Sequence, residues 1–82
     1  MKTYVITAFN EEGLHFPRHY VDTFDPRHHV YPFRLLCADN KTLAYGLSEH
    51  DSNFDPLDDY QEAWGCVTIE YWDQFNARWE PL

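Results

Sequence analysis

The chain has 82 residues, enough for one hydrophobic core and too few for two, so a single domain over residues 1–82 is expected. Acids outnumber bases 14 to 6 for a net charge of −8, which excludes direct nucleic-acid binding, because Lys and Arg are needed to displace phosphate counterions. No apolar run approaches the ~20 residues of a membrane-spanning helix, and Met1-Lys2-Thr3-Tyr4-Val5-Ile6 lacks the apolar stretch and cleavage site of a signal peptide, so a cytoplasmic protein is expected.

Thr3 to Phe9 alternates and is rich in β-branched and aromatic residues, which predicts a strand. Asn10-Glu11-Glu12-Gly13 predicts a turn. Leu14 to Phe24 supports two readings. Phe16, Tyr20, Val21 and Phe24 share a helical face with Pro17 in a first turn, whereas Leu14, Phe16, Tyr20 and Phe24 fit a strand's alternation. A short helix or irregular segment closed by Asp25-Pro26 is favoured. His29 to Cys37 predicts the next strand, with Tyr31, Phe33, Leu35 and Cys37 on one face; Pro32 marks it as an edge strand or as a strand end. Ala38-Asp39-Asn40-Lys41 predicts a hairpin turn, and Thr42 to Leu47 the returning strand.

Further on, Asp55 and Pro56 read as N-cap and first residue of one helical turn reaching Trp64, ended by Gly65. Cys66 to Trp72 predicts a strand with Val67, Ile69 and Tyr71 inside; Asp73 to Asn76 turns the chain and Ala77 to Glu80 pairs back. The sum is an α+β fold, a small β-dominated domain with a mostly antiparallel sheet of four to five short strands and one or two short helical segments.

Little in the sequence points to chemistry. Cys37 and Cys66 lie in apolar, strand-like surroundings and read as core thiols. His15 and His19 are four apart and His28 and His29 adjacent, but Pro17 interrupts the helix that would align the first pair, and no cysteine pair lies near, so no metal site and no cofactor are expected. There is no Gly-rich phosphate loop, nucleophile elbow or His-Glu-x-x-His motif. Ser48, His50, Asp51 and Ser52 are neighbours on one stretch, where a triad rarely assembles. No catalytic residue is expected; the protein should act by binding.

The charge is asymmetric. Residues 1–41 hold five acids and five bases, whereas residues 42–82 hold nine acids and only Arg78 as a base. The densest run is Glu49, Asp51, Asp55, Asp58, Asp59 and Glu62, with no Lys or Arg among them. Like charges at close range repel by roughly 1 kcal/mol in water, a cost that a basic partner would relieve; the plain alternative is a solvated, solubilising loop. Aromatic anchors set among charges are a common hot-spot pattern. Tyr60 is the aromatic most expected to be exposed there, while Phe54 and Trp64 read as core. The candidate partner-binding set is therefore Glu49, Asp51, Asp55, Asp58, Asp59, Tyr60 and Glu62.

Phe54-Asp55-Pro56-Leu57-Asp58-Asp59-Tyr60, then Gly65-Cys66-Val67-Thr68-Ile69-Glu70-Tyr71, and finally Trp79-Glu80-Pro81-Leu82 resemble a class of short acidic proteins of phages and other bacterial mobile elements. That class is marked by an acidic Pro-Leu-Asp-Asp-aromatic loop, a following strand and a Trp near the end. It includes anti-CRISPR inhibitors, some of which mimic DNA. The resemblance implies a stoichiometric inhibitor in the cytoplasm of a bacterial host cell, monomeric or homodimeric. Its carboxylates would stand in for phosphates in the basic nucleic-acid groove of a Cas effector complex. Two other readings are an immunity or antitoxin protein that neutralises a basic nuclease toxin and, further off, a protein that binds metal through its histidines.

Overall fold

A computed structural model of the chain describes residues 3–10 and 25–82. Its strands are β1 (Tyr4–Phe9), β2 (Tyr31–Cys37), β3 (Thr42–Ser48), β4 (Cys66–Asp73) and β5 (Arg78–Pro81), with the helix α1 (Asp55–Trp64) between β3 and β4. They form one five-stranded sheet in the order β1-β3-β2-β4-β5, every neighbouring pair antiparallel. This is the β-dominated α+β domain expected from the sequence. The predicted turn at Glu11–Gly13 and the segment Leu14–Phe24 lie outside the described residues.

The threading of the sheet dictates the place of the helix. β3 and β4 each run antiparallel to β2, so they run parallel to one another with β2 between them. Parallel strands cannot be joined by a tight hairpin and need a crossover, usually helical. α1 is that crossover. By contrast, β2–β3 and β4–β5 are hairpins. In the first, the Asn40 N–H donates to the Cys37 carbonyl and the Cys37 N–H to the Lys41 carbonyl, with Asn40 in the left-handed region at φ 61°. Asn is among the few non-Gly residues that adopt this conformation readily.

The core lies between α1 and one face of the sheet, where Tyr4, Ile6, Phe33, Leu35, Ala44, Ile69 and Tyr71 cluster with Tyr60 and Cys66. It is largely aromatic: Tyr4 meets Phe33 edge-on at 6.0 Å, and Phe33 meets Tyr71 at 5.7 Å. Cys66 is buried, and that burial pushes its thiol up to about 11, which leaves it a packing residue with little thiolate at neutral pH. Cys37, its cross-strand partner, packs half-buried against the same cluster, and both are free thiols.

Of the two readings of Pro32 the structure takes the strand end: β2 is the central strand, and Pro32 sits near its start, before pairing with β4 begins at Phe33. Two local expectations need correction. Tyr31, expected to face inward with Phe33, is exposed at that same end. Val67, expected inside, is 50% exposed. Cys37 pairs with Cys66 and Leu36 with Thr68, so Val67 is the extra residue of a bulge. A bulge reverses the alternation on one side of it, placing Cys66 inside with Ile69 and turning Val67 out.

Gly46, in the middle of β3, is demanded by close approach. It pairs with Ile6 on one side and Phe33 on the other, and a Cβ there would collide with the Phe33 ring and the Val5 carbonyl oxygen. Because one obstacle is backbone, a rotamer change cannot relieve the clash. Gly46→Ala is expected to lower stability by about 2–3 kcal/mol, the upper part of the overpacking range, read as a lower urea midpoint at unchanged slope.

Candidate protein-interaction surface

The acidic run divides between a loop and a helix, and the point of division is Asn53. Its side-chain amide donates to Thr3 Oγ1 at 2.9 Å and to Ser48 Oγ at 3.4 Å, while its Oδ1 accepts the Asp55 N–H at 3.0 Å. Its backbone carbonyl accepts the Tyr71 hydroxyl at 2.7 Å. One residue thus ties Thr3, which leads into β1, to β3, β4 and the first turn of α1. Ser48 is fully buried in this knot, where Oγ also accepts the His50 N–H and donates to the Thr3 carbonyl. Ser48 is therefore a structural hydroxyl joined to the His50 backbone.

Asn53 also explains a one-residue shift in the helix start. Asp55 is the first helical residue and Phe54 occupies the cap, with no side-chain bond of its own; the Asn53 side chain satisfies the Asp55 N–H from one position further back. Phe54, expected in the core, is consequently left exposed. The helix runs ten residues where a single turn was expected, and Gly65 closes it in the left-handed region at φ 71°, its N–H bonded to the Gln61 carbonyl.

The length follows from an apolar stripe. Pro56, Leu57, Tyr60 and Trp64 recur at helical spacing and face the sheet. The Tyr60 ring stacks on Trp64 at 3.9 Å, nearly parallel, and meets Tyr4 edge-on at 6.2 Å. Trp64 in turn meets Phe9 of β1 edge-on at 5.4 Å. Tyr60 is 1% exposed, so it is a core residue and leaves the candidate binding set. The helical period decides this: Tyr60 lies four residues from both Pro56 and Trp64, which fixes it to the inner stripe.

The same period gathers four acids on the opposite side. Asp55, Asp58, Asp59 and Glu62 are spaced i, i+3, i+4 and i+7, and all are exposed. Neighbours in such a stripe have Cβ atoms about 5–6 Å apart. Asp55 and Asp58 lie in the first turn, where the helix dipole favours negative charge; the last turn carries no base to complement Glu62. Asp59 accepts a short hydrogen bond from the Tyr4 hydroxyl, which pins the middle of the stripe to β1. Burial first, and then this bond to Asp59, hold the Tyr4 phenol well above its ordinary range, so it remains a donor.

The other two acids behave differently. Glu49 is partly buried and lies 3.6 Å from the His28 ring, which also approaches Asp25 at 3.8 Å. Asp51 is exposed on the loop, beside the meeting point of β2 and β4. Among the described residues, the arginines are engaged elsewhere: Arg27 with Asp25, Arg34 with Glu70 and Arg78 with Glu80. No ion pair with Lys or Arg among them neutralises the α1 stripe.

His29 is buried, and its Nδ1 accepts the Asp25 N–H at 3.0 Å in the turn that enters β2. Among the described residues no group of three or more His, Cys, Asp or Glu side chains gathers as metal ligands. His15 and His19 lie outside the described residues. No helix among the described residues is long and apolar enough to cross a membrane. Comparison with protein-family models, with curated proteins and with solved structures finds no match for this chain.

Sequence reasoning missed one feature on the outer sheet face. Arg34 is held by Glu70, with Nη2 at 2.6 Å from the carboxylate, and its guanidinium lies 4.7 Å from the centre of the Trp79 ring. Tyr45 and Trp72 flank Trp79 at 6.2 and 5.4 Å. Arg34, Tyr45 and Glu70 occupy opposed positions on three adjacent strands, a placement that only the register reveals.

Two substitutions probe this arrangement. Asn53→Ala removes three side-chain bonds of the knot and is expected to cost about 2–3 kcal/mol in chemical denaturation, at roughly 1 kcal/mol per bond. Glu62→Lys is expected to act in the opposite direction. It replaces repulsion from Asp58 and Asp59 with attraction and places a cation at the helix C-terminus, for a gain of about 1 kcal/mol and a Tm higher by about 4–8 °C in a domain of this size.

Proposed function

We propose that this protein is a stoichiometric inhibitor whose α1 stripe occupies a basic nucleic-acid-binding groove of a Cas effector complex, an anti-CRISPR acting as a DNA mimic. The observation that carries this reading is the alignment of Asp55, Asp58, Asp59 and Glu62 on one exposed helix face, while the opposite face is anchored in the core. The seven steps from Asp55 to Glu62 rise about 10.5 Å and carry four charges, an average interval of about 3.5 Å, close to the spacing of about 3.4 Å per phosphate along one DNA strand. The stripe is rigid, so little entropy is lost when it docks.

The balance of stability supports the same reading. Each like-charged i,i+3 or i,i+4 pair costs a few tenths of a kcal/mol, and four such pairs exist in the stripe without one intervening base. Solubility alone would be served as well by acids scattered over the surface. A cationic groove turns the concentrated arrangement into affinity and rapid, steered association. The chemistry needed is charge presentation only, so the protein works one-to-one and without turnover.

The test is a titration of purified Cas effector complexes with the protein, reading target-DNA binding, alongside a panel of basic nuclease toxins. Inhibition is expected to saturate at one equivalent and to weaken as salt rises, because exposed charges are screened beyond about 8–10 Å. The triple reversal Asp55→Lys, Asp58→Lys, Glu62→Lys is expected to remain folded and to lose inhibition. Full potency in that folded variant would refute the stripe as the binding surface. Neutralisation of a toxin with every effector unaffected would move the protein to the immunity class.

A further inference from the structure

The ladder between β2 and β4 stops at Phe33 opposite Tyr71, although neither strand ends there. β2 continues back to Tyr31 along β3, and β4 continues to Asp73 along β5. Pro32 has no N–H to offer a neighbour, which accounts for the ladder's end. Between the parted strands opens a groove of about 740 Å³.

Its lining combines flat rings with carboxylates: Tyr31, Trp72 and Phe75 with Asp51, Asp73 and Glu80. Among the described residues, no Lys, Arg or His lines it. Phe75, at the tip of the β4–β5 turn, is 91% exposed, and Trp72 is 39% exposed. The Asp73 carboxylate accepts the Asn76 side-chain amide and the N–H groups of Phe75 and Asn76. These bonds, the Asn76 side chain first, hold it below the ordinary carboxylate range, so it stays charged at neutral pH. Glu80 is shared with Arg78. Arg78, opposite Asp73 in the β4–β5 ladder, also favours the charged Asp73 carboxylate, so among the described residues Asp51 is the groove acid farthest from compensation.

We infer that this groove receives an arginine side chain of the protein's partner, its guanidinium lying on the exposed rings and bonded to Asp51 and Asp73. A planar, weakly hydrated cation suits a site made of rings and carboxylates, because it stacks flat and forms paired hydrogen bonds together; a compact, strongly hydrated ammonium lacks that planar fork. The chain already builds this motif from its own residues on the same sheet, where Arg34 lies against Trp79 and is held by Glu70. The groove repeats the arrangement, and among the described residues no cation lines it. The inference deepens the reading of a cationic protein partner, but it stands on residues outside α1.

The test uses two acetylated and amidated tripeptides, Gly-Arg-Gly and Gly-Lys-Gly, titrated into the whole protein and followed by amide and indole NMR shifts. Saturable shifts are expected at the Trp72 indole, Asp51 and Asp73, with the arginine peptide about fivefold tighter than the lysine peptide. The double variant Asp51→Asn, Phe75→Ala changes two exposed positions and is expected to lose the shifts. The α1 triple reversal is expected to keep them. Equal affinity for both peptides, shifts confined to α1, or concentration-dependent shifts at Phe75 without peptide (a second copy filling the groove) would each overturn the inference. Loss of inhibition in the α1 reversal is read separately, so the groove and the stripe can fail independently.

Discussion

The structure depends on the hydrogen-bonded knot around Asn53. A crossover from β3 to β4 has to pass over β2, and the loop that begins it is polar: Ser48 to Asn53 offers few apolar groups to bury. Without a fixed point at its start, α1 would be held by its inner stripe and the Tyr4–Asp59 bond. The knot supplies that point by bonding Asn53 to Thr3, Ser48 and Tyr71, which belong to three separate parts of the sheet. Its groups are sheltered, so each unmade bond leaves a desolvated polar atom, and alternative loop conformations are penalised more heavily than an exposed turn would be. Positioning α1 is thus a polar task here, and holding it is an apolar one.

That division lets the outer face of α1 carry charge that its own stability does not favour. Stacked Tyr60 and Trp64, the edge contact with Tyr4 and the tight C-terminal turn at Gly65 bind the helix strongly enough to tolerate several repulsive pairs. The Tyr4 hydroxyl joins the two faces: its ring belongs to the core and its proton to Asp59. The carboxylate nearest the sheet is thereby oriented without being neutralised, which preserves the negative stripe.

Much of the fold was legible in the sequence because its strands are short, alternating and separated by turn residues. Asn40 and Gly65 occupy left-handed positions, and Pro56 lies in a first helical turn, as their backbone preferences lead one to expect. The readings that failed share a cause, since each needed register or a partner element. Val67 has strand alternation in its favour and is turned outward by a bulge that only pairing with β2 creates. Tyr60 lies among acids in sequence, and its burial follows only once the segment is a full helix and its period can be counted. Pro32 allowed edge or end, and the longer reach of β3 on its other side decides for end. The acidic residues were visible as a run, but that the helix selects four of them, leaves Asp51 at the groove and pairs Glu49 with His28 belongs to the folded chain.

The stripe and the groove are also joined through the knot. Asp51 lines the groove, Asp55 begins the stripe, and Asn53 lies midway between them. Tyr71 forms part of the groove wall, and its hydroxyl bonds to the Asn53 carbonyl. Both surfaces therefore adjoin the same hydrogen-bonded residue. Were the proposed cationic partner to engage both, an arginine in the groove would set the register of its surface along α1. Long-range charge attraction alone is indifferent to such register. A stacked and doubly bonded guanidinium is not, so under the proposed reading the groove would supply the specificity that a row of carboxylates lacks.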